Sequence, residues 1–182
     1  MELLFRIEAI LLAPHREWSA IARGKREASA AFISYVAILA LVPALSHFIG
    51  ASLVGGYAPI SWSLVGALVS YLSAFVAVYV VALITNALAP IFGAHKDFAA
   101  ALKLVVYSST PVWLAGAFLS VPGVSFLVVL GLYGVYLLRT GLPILMRAAD
   151  AQAWRYAAAV GGCALVIAVG LGLIEAPLFS PG

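Results

Sequence analysis

The feature that most limits this chain is a series of five long stretches almost free of charge, at about residues 29 to 50, 63 to 89, 99 to 120, 124 to 146 and 156 to 174. Each is close to or above the roughly 20 apolar residues that an α-helix needs to cross bilayer hydrocarbon. Only helices and closed barrels satisfy every backbone polar group inside lipid, and apolar runs of this length without alternation are helices. Composition removes the soluble alternative. Of 182 residues, 65% are hydrophobic and 9% charged, against about 25% charged in an ordinary soluble domain. The expected fold is all-α: an integral membrane bundle of five transmembrane helices with an N-terminal amphipathic interfacial helix. It divides into a leader (1–26), a membrane domain (27–176) and a short external tail (177–182).

The ten Lys and Arg residues orient it. Arg6, Arg16, Arg23, Lys25 and Arg26 precede span one; Lys96 and Lys103 flank the link between spans two and three; Arg139, Arg147 and Arg155 flank the link between spans four and five. None remains for the other face. The positive-inside rule then puts the N-terminus and both links in the cytoplasm and the C-terminus outside. A span count wrong by one would divide the basic residues between the two faces. Turn chemistry marks the boundaries at Gly55-Gly56 and Pro59, at Pro90 and Gly93, at Pro122-Gly123, and in the polar stretch Arg147 to Arg155. The charged leader of about 27 residues and the apolar run of about 22 both exceed the regions of a cleaved signal, so residues 1 to 50 are expected to be retained. Net charge is +3, but no basic stripe interleaves with aromatics, so nucleic acid is not expected as a partner.

In the leader, Leu4, Ile7 and Leu11, with Leu3 and Ile10 beside them, recur at helical spacing. Pro14 breaks this helix and opens a second one carrying Trp18 and Ile21, with Arg16 and Glu17 on its polar side. Two placements remain open. The leader lies on the inner leaflet with Trp18 in the headgroup layer, or it packs against the cytoplasmic ends of the bundle.

Polar groups inside spans are few. Lys103 and Arg139 sit near the cytoplasmic ends of their helices, where they either snorkel to water or line a shared vestibule with Asn86. Asn86 alternatively makes an interhelical hydrogen bond. The densest polar group is Tyr107-Ser108-Ser109-Thr110-Pro111, in mid-span three. Pro111 removes a donor from the Tyr107 carbonyl, so a kink is expected there, with Ser or Thr hydroxyls re-satisfying the freed backbone. All seven acidic residues are read as lying at ends or in links, which leaves no carboxylate relay. His15, His47 and His95 are far apart, Cys163 is the single cysteine, and no nucleophile, metal or phosphate-loop motif is present. No enzyme, cofactor or metal is expected. In span five Ala164, Ala168 and Gly172 fall four apart beside Ala158 and Gly162. This spacing suits close packing on helices of the same chain, with a homo-oligomer contact as the second reading.

The leader with Pro14, Trp18 and Ile21, the five spans, Phe92-Gly93 to Phe98, the Tyr107 to Pro111 segment, and Gly131-Leu-Tyr-Gly-Val-Tyr136 running to Gly141 together resemble the Yip1 domain family in its bacterial form. The resemblance covers nearly the whole chain. It implies a multi-pass protein of the bacterial cytoplasmic membrane with a cytoplasmic N-terminus. It also implies structural weight at Tyr107, Pro111, Tyr133, Gly134, Tyr136 and Gly141. Eukaryotic relatives are associated with Rab GTPases and membrane trafficking; the bacterial branch lacks those partners. The function expected is non-enzymatic: organising membrane, or recruiting unidentified protein partners at the cytoplasmic face. The alternative is a small oligomeric transporter or channel with a path beside the kinked third helix.

Overall fold

The computed structural model describes residues 2–24, 28–54, 59–120 and 125–179. The expected turns at Gly55-Gly56 and Pro122-Gly123, and the basic residues Lys25 and Arg26, lie outside the described residues. The described chain is helical: α1 (Glu2–Leu12), α2 (Pro14–Arg23), α3 (Ala28–Leu39), α4 (Leu41–Phe48), α5 (Ile60–Leu88), α6 (Phe98–Ser108), α7 (Thr110–Gly116), α8 (Tyr133–Leu145) and α9 (Asp150–Phe179). A π-helical turn, Ile49–Val54, continues α4, and 3₁₀ helices occupy Ala89–Phe92, Ala117–Ser120 and Ser125–Leu132. Asp97 starts α6 by accepting the Ala100 amide at 3.1 Å, the usual role of an N-cap carboxylate.

Among the described residues four helices are long and apolar enough to cross a membrane: Ala28–Leu53, Ile60–Phe92, Phe98–Gly116 and Asp150–Ala176. The fourth apolar run forms only a shorter apolar helix, Val129–Leu145. Its first part, from Ser125 to Leu132, is wound as 3₁₀. A 3₁₀ helix rises about 2.0 Å per residue against 1.5 Å for an α-helix, so Ser125 to Leu145 extends about 35 Å despite the short α-helical part.

Paired contacts give the directions. Phe32 meets Phe75 and Tyr79 while Tyr71 donates to the Ala37 carbonyl at 3.1 Å, so α3 and α5 are antiparallel. Tyr35 packs on Tyr107, and a Cβ on Gly116 would lie 2.8 Å from Pro43 Cβ, so the first and third spans are parallel. Gly131 faces Val112, Gly134 faces Ser108 and Gly141 faces Leu104. This is an antiparallel register from Leu104 to Ala115. At one end, Phe92 stacks on Tyr156 at 4.8 Å, Tyr156 donates to the Thr85 carbonyl, and the His95 amide donates to the Met146 carbonyl at 2.7 Å. The starts of α3, α6 and α9 and the ends of α5 and α8 therefore share that end. Arg23, Lys96, Lys103, Arg139, Arg147 and Arg155 all lie toward it, as the sequence pattern requires. We call it the basic end.

Span three is the hub, 61% buried over its membrane-length window, whereas the last helix is 11% buried over its own. Leu64, Leu68, Leu72, Leu165, Val166 and Leu173 are exposed on the periphery. A surface this apolar is stable only in lipid.

Glu175 lies in the last turns of α9, which runs on to Phe179, and it is 8% exposed. It lies within electrostatic reach of His47 on α4. The small residues of α9 mostly do not pack within the chain. Ala158, Gly162, Ala168 and Gly172 are exposed, and a Cβ on Gly162 or Gly172 would meet nothing within 4 Å. Ala164 is half-buried, and Gly161 makes a close approach, to Val135.

Candidate functional site

The polar groups of the interior gather where the leader meets the hub. Pro111 has no N–H for the Tyr107 carbonyl, and the helix breaks at Ser109 between α6 and α7. Thr110 Oγ1 takes the place of the missing donor, giving a hydrogen bond to Tyr107 O at 2.7 Å. Tyr35 Oη, on α3, lies 2.8 Å from the same hydroxyl. With Thr110 committed as a donor to the carbonyl, Tyr35 is the donor to Thr110. Ser109 Oγ donates to Val105 O at 2.8 Å, and Ser108 Oγ is buried with no hydrogen-bond partner. Tyr35, Tyr107, Ser108 and Thr110 are each at most 3% exposed.

A second relay of the same kind holds the leader. Trp18 Nε1 donates to Thr140 Oγ1 at 3.1 Å, and Thr140 donates to Leu137 O at 2.9 Å. The indole reaches α8 because position 141 is glycine: a Cβ there would overlap Leu104 and lie 2.8 Å from Trp18 Cε2. Trp18 is fully buried and edge-on to Tyr107, 6.4 Å between centroids. The leader packs against the bundle, and Trp18 is covered by protein. Farther along, Tyr133 Oη donates to the Leu11 carbonyl at 2.9 Å.

Glu17 departs from the expected polar face. Arg16 is exposed, but Glu17 turns inward and pairs with Arg6 across the α1–α2 hairpin at 3.0 Å. The Arg6 guanidinium in turn stands over the Tyr107 ring, 5.8 Å from its centroid. One aromatic ring thus receives Arg6, Trp18 and Tyr35 from three segments. Tyr107 was singled out in the sequence; Tyr35, Thr140, Arg6 and Glu17 were not. A hydroxyl-bearing side chain inside an apolar span is the signal that could have found the first two.

The remaining candidates do not join this cluster. Asn86 on α5 is half-buried, and its Oδ1 has no hydrogen-bond partner. Lys103 on α6 is half-buried, and Arg139 on α8 stands over Trp154 of α9, 5.9 Å from the ring centroid. Among the described residues no hydrogen bond links Asn86, Lys103 and Arg139. Tyr136 is half-buried and packs on Tyr133 at 5.2 Å.

The chemistry available at the seam is hydrogen bonding, ring stacking and one ion pair. Among the described residues no group of His, Cys, Asp and Glu could hold a metal. Cys163 is a free cysteine, half-buried in α9. The fold and this seam define a multi-pass, all-helical membrane protein. The model of the Yip1 domain family matches residues 9–172, and the chain belongs to that family. No curated protein and no solved structure compared with the chain matches it.

Proposed function

We propose that this Yip1-family protein is a non-enzymatic membrane scaffold with five spans, which presents its leader and basic end to lipid and protein partners in the bacterial cytoplasm. The observation that carries this reading is the closed state of the hub. A transport path beside the kinked third helix needs water at Tyr107 to Thr110, whereas Tyr107, Ser108 and Thr110 are buried, Tyr107 under α3 and the leader and Thr110 bonded to Tyr35 of α3. Five crossings are supported by the antiparallel register of residues 125–145 on the third span and by their extent of about 35 Å.

Depth follows from length. The 29 residues of α5 and the 30 of α9 extend about 43 and 45 Å, more than the roughly 30 Å of hydrocarbon. The excess belongs at the basic end, where Lys103, Arg139 and Arg155 then stand at headgroup level instead of in the bilayer centre. An impermeant thiol reagent added to intact cells is expected to label Ala176→Cys and not Asp150→Cys in a Cys163→Ala background; the reverse pattern would invert the orientation.

The test of function is flux. Protein in sealed liposomes is expected to leave the permeability to small cations, anions and neutral solutes at the level of empty vesicles. A flux that disappears in a Lys103→Ala/Arg139→Ala variant would replace the scaffold by the pathway reading.

A further inference from the structure

We propose that Arg139 and Trp154 form a binding site for the phosphate of an anionic phospholipid in the leaflet at the basic end of the bundle. The inference deepens the scaffold reading and rests on the membrane placement given there.

The two half-buried arginines that face tyrosine or tryptophan rings are treated differently by the chain. Arg6 stands over Tyr107 and is given the carboxylate of Glu17 at 3.0 Å. Arg139 stands over Trp154 and has no carboxylate partner among the described residues, while its Nε is buried without any hydrogen-bond acceptor. A buried cationic donor without an acceptor bears the full cost of desolvation, so its partner is expected from outside the chain. The guanidinium is suited to phosphate, because its planar fork donates in pairs to adjacent oxygens while one face rests on an aromatic ring.

The surroundings identify the source of that phosphate. Trp154 is 54% exposed and lies near the start of α9, below Leu165 and Gly172 on the same stripe of the helix. Those positions are exposed and apolar, so what covers the stripe is acyl chain, and what meets Trp154 and Arg139 at its foot is the headgroup of the same lipid. Tryptophan is favoured at that level. Arg155, next to Trp154, and Arg147, after the end of α8, are exposed and add positive potential. Basic notches between helices on such a face select anionic over zwitterionic headgroups.

The test is lipid enrichment. The full chain is reconstituted in vesicles of mixed phosphatidylglycerol and phosphatidylcholine and extracted in a mild neutral detergent, and the retained lipid is quantified by mass spectrometry. Wild type is expected to retain phosphatidylglycerol several-fold above its share in the vesicle, and Arg139→Gln to return it to that share. Arg139→Lys should keep part of the enrichment, and Arg16→Gln, an exposed leader change, should keep all of it. If Arg139→Gln does not fold, Trp154→Leu, which alters an exposed ring, is expected to lower the enrichment by at least half. Absence of enrichment in wild type, or equal losses in Arg16→Gln and Arg139→Gln, would overturn the site. Displacement of the retained lipid by millimolar inorganic phosphate would overturn its assignment to lipid. Either failure leaves the flux result of the scaffold reading untouched.

Discussion

The third span and the last helix are both long apolar helices, yet they occupy opposite roles. Phe98–Gly116 carries a proline, a run of hydroxyls and a tyrosine, and 61% of its membrane-length window is buried; Asp150–Ala176 is mostly aliphatic and small after Tyr156, and 11% of its own window is buried. In lipid the aliphatic helix needs no protein cover, because acyl chains are as apolar as leucine. The helix with backbone and hydroxyl groups to satisfy is the one that must be surrounded. Burial in this protein therefore follows polarity, the inverse of a soluble core, and the leader is drawn in to complete the cover over Tyr107.

If that contrast is right, substitutions around the hub should cost far more than equivalent ones on α9. The largest effect is expected for Trp18→Ala, which empties a fully buried site and removes the hydrogen bond to Thr140; a loss of about 3 to 5 kcal/mol should appear as release of α1–α2 to limited proteolysis. Gly134→Ala should cost about 1 to 3 kcal/mol in thermal unfolding in detergent, since its Cβ would lie 2.7 Å from Ser108 O. Thr110→Val breaks the relay from Tyr35 to the Tyr107 carbonyl and should cost about 1 kcal/mol, read in the same assay. Gly162→Ala and Gly172→Ala, whose added Cβ would meet nothing within 4 Å, should stay within about 0.5 kcal/mol of wild type. A loss at Gly162 as large as that at Gly134 would break the comparison and point to a second copy packed on α9.

The sequence made some of this legible and hid the rest for identifiable reasons. Crossing the membrane and the clustering of basic residues at one end depend on sums over segments, so composition and order suffice. The break at Pro111 is local chemistry, and its neighbour Thr110 supplies the substitute donor. The 3₁₀ winding of Ser125–Leu132 was not legible, because it leaves no mark in an apolar run. Neither was the inward turn of Glu17, whose partner Arg6 lies on the other arm of a hairpin, nor the Trp18–Thr140 bond across 122 residues. The face of α9 was misread because small residues spaced four apart suit a neighbouring helix and lipid alike.

The central claim is that the hub is sealed from water by α3 and the leader, and one accessibility measurement tests it. In a Cys163→Ala background, Ser108→Cys is exposed to a small impermeant thiol reagent from both sides of reconstituted vesicles, with Asp150→Cys as the exposed control. The account predicts labelling of Asp150→Cys and none of Ser108→Cys until Trp18→Ala is added. Rapid labelling of Ser108→Cys with the leader intact would contradict it.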